Sequence, residues 1–195
     1  RILERATALG EEDLLVALVS GGGSSLLSLP VDSVPIDDLR AVTRSLLASG
    51  APIQLTNGVR THLSRIQGGR LAQRTRARVL ALMISDVAGD DPSSIASGPC
   101  SPDPSTYADA LEILARWRVA TPASVREHLE RGARGLVDET PKPGDPLFER
   151  VQARMLATAH GSLEAAAAEF ARAGIRPVVL GDTVTGEARE VAQVM

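Results

Sequence analysis

Residues 15–30 read LVALVSGGGSSLLSLP: an apolar run, three glycines, two serines, then apolar residues again. The run from Asp13 to Ser20, bounded by charge and glycine, predicts a short strand buried on both faces. The glycine-rich segment after it has two readings. A tight turn needs glycine for mechanical reasons alone. An anion site needs it so that backbone N–H groups face the ligand unobstructed, with a helix N-terminus adding partial positive charge. The pattern is neither the Walker sequence, which wants a lysine after its last glycine, nor GxGxxG. Taken alone, the stretch leaves both readings open.

Working outward, residues 35–50 (PIDDLRAVTRSLLASG) predict a helix. Pro35 suits its first turn, Asp37 and Asp38 its positive end and Gly50 its stop, with Leu39, Val42, Leu46 and Leu47 on one apolar stripe. Residues 52–65 predict another helix, and RLAQRT after the glycine pair 68–69 a short one. RARVLALMISDV (76–87) predicts a second buried strand, followed by the turn-rich AGDDPSSIASGPCSPDPS (88–105) and by helices over 107–118 and 122–131. GLVDETPKPGDPLF (135–148), dense in proline, glycine and acid, predicts a linker or domain crossing. Beyond it come RMLATA as a strand, SLEAAAAEFARAG as a helix, IRPVVLG as a strand and TGEAREVAQVM as the beginning of a helix. This alternation predicts an α/β fold with a mostly parallel sheet flanked by helices. A first domain is expected over 1–150; residues 151–195 are either the beginning of a second α/β domain or a return to the first sheet.

Composition narrows the function classes. Hydrophobic residues at 44% and charged residues at 23% describe an ordered, soluble chain rather than a disordered one. A net charge of −3 without a basic cluster argues against nucleic acid as partner. Cys100 is the only cysteine, which excludes an internal disulfide. No apolar run approaches the roughly 18 residues of a membrane span, and a cytoplasmic setting is expected. The chain starts at Arg1, so a fragment of a longer protein is expected. Lys142 is its only lysine, and chemistry that needs an ammonium group is poorly served.

In an open parallel sheet, ligands sit beyond the carboxyl ends of the strands. SGGGSS and SDVAGDDPSS both follow predicted strands and are therefore expected at one edge. Asp86, Asp90 and Asp91 bring three carboxylates within six residues. They suit magnesium, which takes one or two carboxylates plus phosphate oxygens, or proton acceptance from a substrate hydroxyl; Asp90 and Asp91 equally suit a turn and helix cap before Pro92. In HLSRIQGGRLA (62–72), a guanidinium fork from Arg65 or Arg70 could clamp an anion. A solvated helix face explains Arg65 as well, which leaves Arg70, beside glycine, as the better candidate. His62, His128 and His160 have no spaced partners, so a zinc site is not expected and His62 reads as structural.

SGGGSSLL, NGVRTHLSRIQGGRLA, SDVAGDDPSSIASGPCSPDPST, TPKPGDP and LGDTVTGEAREVA, in that order, resemble the bacterial glycerate 2-kinases, some of which carry the older name hydroxypyruvate reductase of tartrate utilisation. The resemblance covers nearly the whole chain. It implies transfer of the γ-phosphoryl of ATP to the 2-hydroxyl of D-glycerate with Mg2+, in a cleft between two Rossmann-like α/β domains. It also implies phosphate or substrate binding by Ser20, Gly21, Gly22, Gly23, Ser24, Ser25, Gln67 and Ser97. Catalytic roles fall to Asp86, Asp91 and Arg70, and metal binding to Asp90 and Asp91.

The chain departs from the family pattern in three ways. An upstream glycine–lysine segment and a downstream GGRNQE-like segment, which supply a catalytic lysine and arginine, are absent. Gln67 stands where the family writes the lysine of KGGRLA, which weakens electrostatic stabilisation of a transferring phosphoryl group. The last forty or so residues look like only the opening of a second domain. The 195-residue chain by itself is therefore expected to be inactive. The expected partners are glycerate and nucleotide, with a homodimer left open. An NAD(P)-dependent hydroxypyruvate reductase and a non-catalytic glycerate- or nucleotide-binding module are the alternatives; the first lacks GxGxxG and an acidic residue about 20 positions on.

Overall fold

The computed structural model describes residues 1–184 and 186–195; Thr185, within LGDTVTGEAREVA, lies outside the described residues. Three strands, β1 (Leu14–Val19), β2 (Arg78–Ile84) and β3 (Val151–Ala157), form one sheet in the order β1-β2-β3. Both pairings are parallel, and Ala17, Ala81 and Ala153 stand level across the sheet. Parallel neighbours need long crossovers, usually helical. Between β1 and β2 these are α2 (Gly23–Leu26), α3 (Ile36–Ala48), α4 (Ile53–His62) and α5 (Arg70–Gln73); between β2 and β3 they are α6 (Tyr107–Arg116) and α7 (Ala123–Ala133). α1 (Ile2–Thr7) precedes the sheet, and α8 (Ala159–Arg172) and α9 (Ala188–Val194) come after it. The carboxyl ends of all three strands share one edge, as the α/β pattern requires. Among the described residues no helix is long and apolar enough to cross a membrane.

Two cores result. One lies among α3, α4, α6 and α7, where Val42, Leu46, Val59, Leu63, Val125 and Leu129 are fully enclosed. The predicted stripe of α3 supplies Leu39, Val42 and Leu46, but Leu47 turns outward and is 56% exposed. The residue lies one position past the buried Leu46, about 100° around the helix. The second core packs Val79 and Ala81 of the sheet against Ala6, Ile66, Leu71, Ala72 and Cys100.

That second core covers one face of the sheet only. Among the described residues β1 is covered on one face: Leu15, Ala17 and Val19 are half-buried, whereas Leu14, Val16 and Leu18 are exposed. A continuous apolar run signals two-sided burial, but its realisation needs a layer on each side. β2 alternates in the same sense, with Val79, Ala81 and Met83 inward.

Residues 135–148, expected as a linker or domain crossing, are anchored by hydrogen bonds through their polar side chains. Glu139 Oε2 accepts a hydrogen bond from Tyr107 N at 3.1 Å, and Thr140, 2% exposed, donates to Asp103 Oδ2 at 2.9 Å. Proline and glycine here shape a strap held down by its polar side chains. Residues 175–181 (IRPVVLG) form no strand, and Val178 and Leu180 are exposed. β-branched content suits a pleat, but without a neighbouring ladder it produces none.

Candidate functional site

β1 ends at Val19 and β2 at Ile84, so both polar turns leave the same edge. They touch. Gly21 lies so close to Asp86 that a Cβ there would fall 2.0 Å from Oδ2 and 2.4 Å from Cγ. Ser24 Oγ and Ser97 Oγ are hydrogen-bonded at 2.9 Å. The turn is made through Gly22 at φ 75°, and α2 behind it is a single turn, so the dipole expected to assist an anion is slight.

Where these turns meet α4, α6 and the 102–105 loop, a cleft of about 850 Å³ opens. Of the expected residues, Gly22, Ser24, Ser25, Asp86, Asp91 and Ser97 line it. Asp86 is solvent-exposed there. Asp91 accepts hydrogen bonds from Ser93 N (2.9 Å), Ser93 Oγ (2.6 Å) and Ser94 Oγ (3.1 Å). Partial burial would raise its pKa, but those hydrogen bonds outweigh it and hold the carboxyl below its usual range, and so ionised. Ser97, 2% exposed, has φ 59°, and its neighbour Ala96 φ 52°. Such conformations cost about 1–3 kcal/mol each and persist where the surroundings over-determine them.

Other expected residues are not brought into the cleft. Arg70 is the main correction. Its guanidinium is buried at 8% exposure and donates to Thr61 O (3.0 Å), Ser64 O (2.6 Å) and Tyr107 Oη (3.1 Å). It closes the carboxyl end of α4, where unsatisfied carbonyls accept a cation, and it does not line the cleft. Arg65 pairs with Asp32 at 2.6 Å on the surface. Asp90 adopts φ 54° in a turn and does not line the cleft. Gln67, 2% exposed, turns its amide to Ser24 O at 3.3 Å and steadies the glycine turn from behind. Ser20, Gly21 and Gly23 shape the turn without lining the cleft.

The sequence reading missed Asn57, Arg60, Asp103 and Ser105, all on the cleft wall. The signal for the first two was their i, i+3 spacing on α4, which puts both on one face. Asp103 and Ser105 carried none, because their place depends on His62. That ring is fully buried; its Nε2 lies 3.1 Å from Ser105 Oγ and 3.6 Å from Asp103 Oδ2, and its Nδ1 3.3 Å from Glu139 Oε1. Nδ1 is near enough to the carboxylate to interact but is not aligned as a hydrogen bond. The structural reading of His62 agrees with this setting. Lys142 Nζ donates to Ser105 O and Thr140 Oγ1, tying the strap to the same wall.

Among the described residues no three histidine, cysteine or carboxylate side chains converge to hold a metal. At the β2 exit the cleft offers a cation Asp86 and Asp91, with Asp91 already using three of roughly four lone-pair sites. That suits magnesium only as it sits beside phosphates, where one or two carboxylates suffice.

The chain is similar to known proteins. Residues 1–130 match the family described as Domain of unknown function (DUF4147). A protein of Agrobacterium vitis named "Putative hydroxypyruvate reductase" is 49% identical over 100% of this chain and 43% of its own length. "Glycerate 2-kinase" of Pyrococcus horikoshii is 42% identical over 97% of this chain and 42% of its own. The crystal structure of glycerate kinase from Thermotoga maritima superposes with a TM-score of 0.75 at 38% identity, covering 89% of this chain and 40% of that one. The chain thus spans less than half the length of these relatives. With the matched residues taking in both turns and the wall of the cleft, the chain belongs to the DUF4147 family.

Proposed function

We propose that the cleft is the phosphoryl-transfer site of a glycerate 2-kinase, moving the γ-phosphoryl of ATP to the 2-hydroxyl of D-glycerate. The observation that carries this reading is the contact between the two strand exits. Gly21 against Asp86, and Ser24 on Ser97, join a glycine-rich turn to a carboxylate-bearing one around a single opening. The names of the P. horikoshii and T. maritima relatives support the same reaction.

The roles rest on the chemistry of the step. Phosphoryl transfer asks for positioning and charge neutralisation rather than covalent catalysis. The 2-hydroxyl oxygen forms a bond to the γ-phosphorus as the bond to the β-bridging oxygen breaks, ADP leaves, and the hydroxyl proton passes to a base. Asp86, exposed at the cleft, is assigned as that base. Gly22, Ser24, Ser25 and Ser97 offer backbone and hydroxyl groups to anionic oxygens. Asp91, ionised and facing the cleft, would hold Mg2+ together with phosphate oxygens. The metal, when bound, neutralises charge on the phosphates. The partners are accordingly nucleotide and a small hydroxy acid.

The name carried by the A. vitis relative favours a second reading, reduction of hydroxypyruvate with a nicotinamide cofactor. Two assays on the full-length protein separate them. ADP release that depends on D-glycerate, with 2-phosphoglycerate identified by phosphorus NMR, is expected. NADH oxidation dependent on hydroxypyruvate, without ADP release, would replace the kinase by the reductase. Binding of glycerate by calorimetry with neither turnover would leave a binding module.

A further inference from the structure

The cleft is acid-rich. Asp86, Asp91, Asp103, Asp109 and Glu112 line it, against only Arg60 and Arg116, of which Arg116 lies exposed at the end of α6. Any ligand bearing carboxylate or phosphate must therefore find its cation in a narrow choice. Arg70 is spent on carbonyls, Arg65 on Asp32 and Lys142 on the strap.

Arg60 is different. It sits on α4, half-buried, where NH1 donates to Asn57 Oδ1 at 3.2 Å and NH2 to Ser24 O. Both acceptors are neutral. Burial alone lowers its pKa, with no neighbouring carboxylate contributing among the described residues. A guanidinium has five N–H donors in a fixed fork, so three remain beyond these two bonds. A cation withdrawn from water without a counter-charge is costly unless an anion arrives. Its hydrogen bond to Ser24 O also sets it beside the glycine turn, since Ser24 in turn holds Ser97.

We infer that Arg60 is the oxyanion-binding residue of this cleft, its free guanidinium edge taking the carboxylate of a short hydroxy acid or a phosphate group in bidentate fashion. This rests on the proposed phosphoryl-transfer site and names the charge within it that recognises the substrate. Both ligand sources present the same planar or tetrahedral array of anionic oxygens, which Arg matches better than Lys.

The test is calorimetry on the wild type, Arg60→Met and Arg60→Lys, with D-glycerate, magnesium ADP and inorganic phosphate as separate probes. Met keeps the apolar stem and Lys keeps the charge without the fork. Thermal midpoints close to the wild type show that the helix is intact, and Arg60→Lys serves should Arg60→Met not fold. About tenfold to a hundredfold weaker binding is expected for Arg60→Met, with Arg60→Lys between the two. Loss confined to D-glycerate identifies the carboxylate as the bound group, and loss confined to ADP and phosphate identifies the phosphate. Wild-type binding of phosphate alone, lost in the variants, supports Arg60 while removing the glycerate 2-kinase reading. Undiminished binding of every probe by folded variants, or no binding of any probe by the wild type, overturns the inference.

Discussion

The carboxylate of Asp86 occupies the space where a side chain at Gly21 would stand, 2.0 Å from the position of its Cβ. The two strand exits therefore share a volume, and glycine at 21 is what admits the acid. The atoms in the way belong to the end of a side chain that can rotate, so Gly21→Ala should cost little stability, within about 1 kcal/mol. It should displace the carboxylate from the cleft. Glycerate-dependent ADP release should fall about a hundredfold, as for an ångström-scale misplacement of a reacting group, with the melting temperature nearly unchanged.

Asp86→Asn tests the base directly. The amide matches the carboxylate in shape but cannot accept the hydroxyl proton, so turnover should drop by about 10²–10⁴ while calorimetric nucleotide affinity holds. Unaltered turnover would move the base elsewhere.

Arg70 offers the contrasting outcome. Arg70→Met removes a donor from each of Thr61 O, Ser64 O and Tyr107 Oη. A loss of about 3 kcal/mol in urea denaturation is expected. A fully stable variant with lowered kcat would instead restore Arg70 to catalysis.

Glu139 sets an acid limit. Burial raises its pKa, but the His62 ring 3.3 Å away and the hydrogen bonds from Thr140 N and Tyr107 N outweigh it, bringing the carboxyl from 4.5 down to about 2. A folded-state pKa below the unfolded one adds stability that is fully present above the unfolded value and is lost as pH falls through the folded one. Thermal stability should therefore decline between pH 4.5 and about 2. Glu139→Gln should be less stable than the wild type at pH 6, with the difference closing over that window. A constant difference between pH 6 and 2 would show that Glu139 gains nothing from its partners.

Local patterns carried much of this protein. The apolar runs at 14–19 and 78–84, the stripe of Leu39, Val42 and Leu46, and the turn residues at 20–25 each act over a few positions, so β1, β2, α3 and the shared edge of the parallel sheet were legible in the chain itself. Which arginine faces the cleft was not. Arg60, Arg65 and Arg70 lie within eleven residues of similar composition, yet one reaches the cleft, one the surface and one the carbonyls of α4. That outcome depends on partners far away in sequence: Ser24 for Arg60, Asp32 for Arg65 and Tyr107 for Arg70. The same holds for Asp103 and Ser105, set by His62 and the 139–142 strap, and for the open face of β1, where an apolar run met only one covering layer. Chemistry that depends on residue type and short spacing is written in the chain, whereas burial and the direction of a charge arise only when distant segments pack.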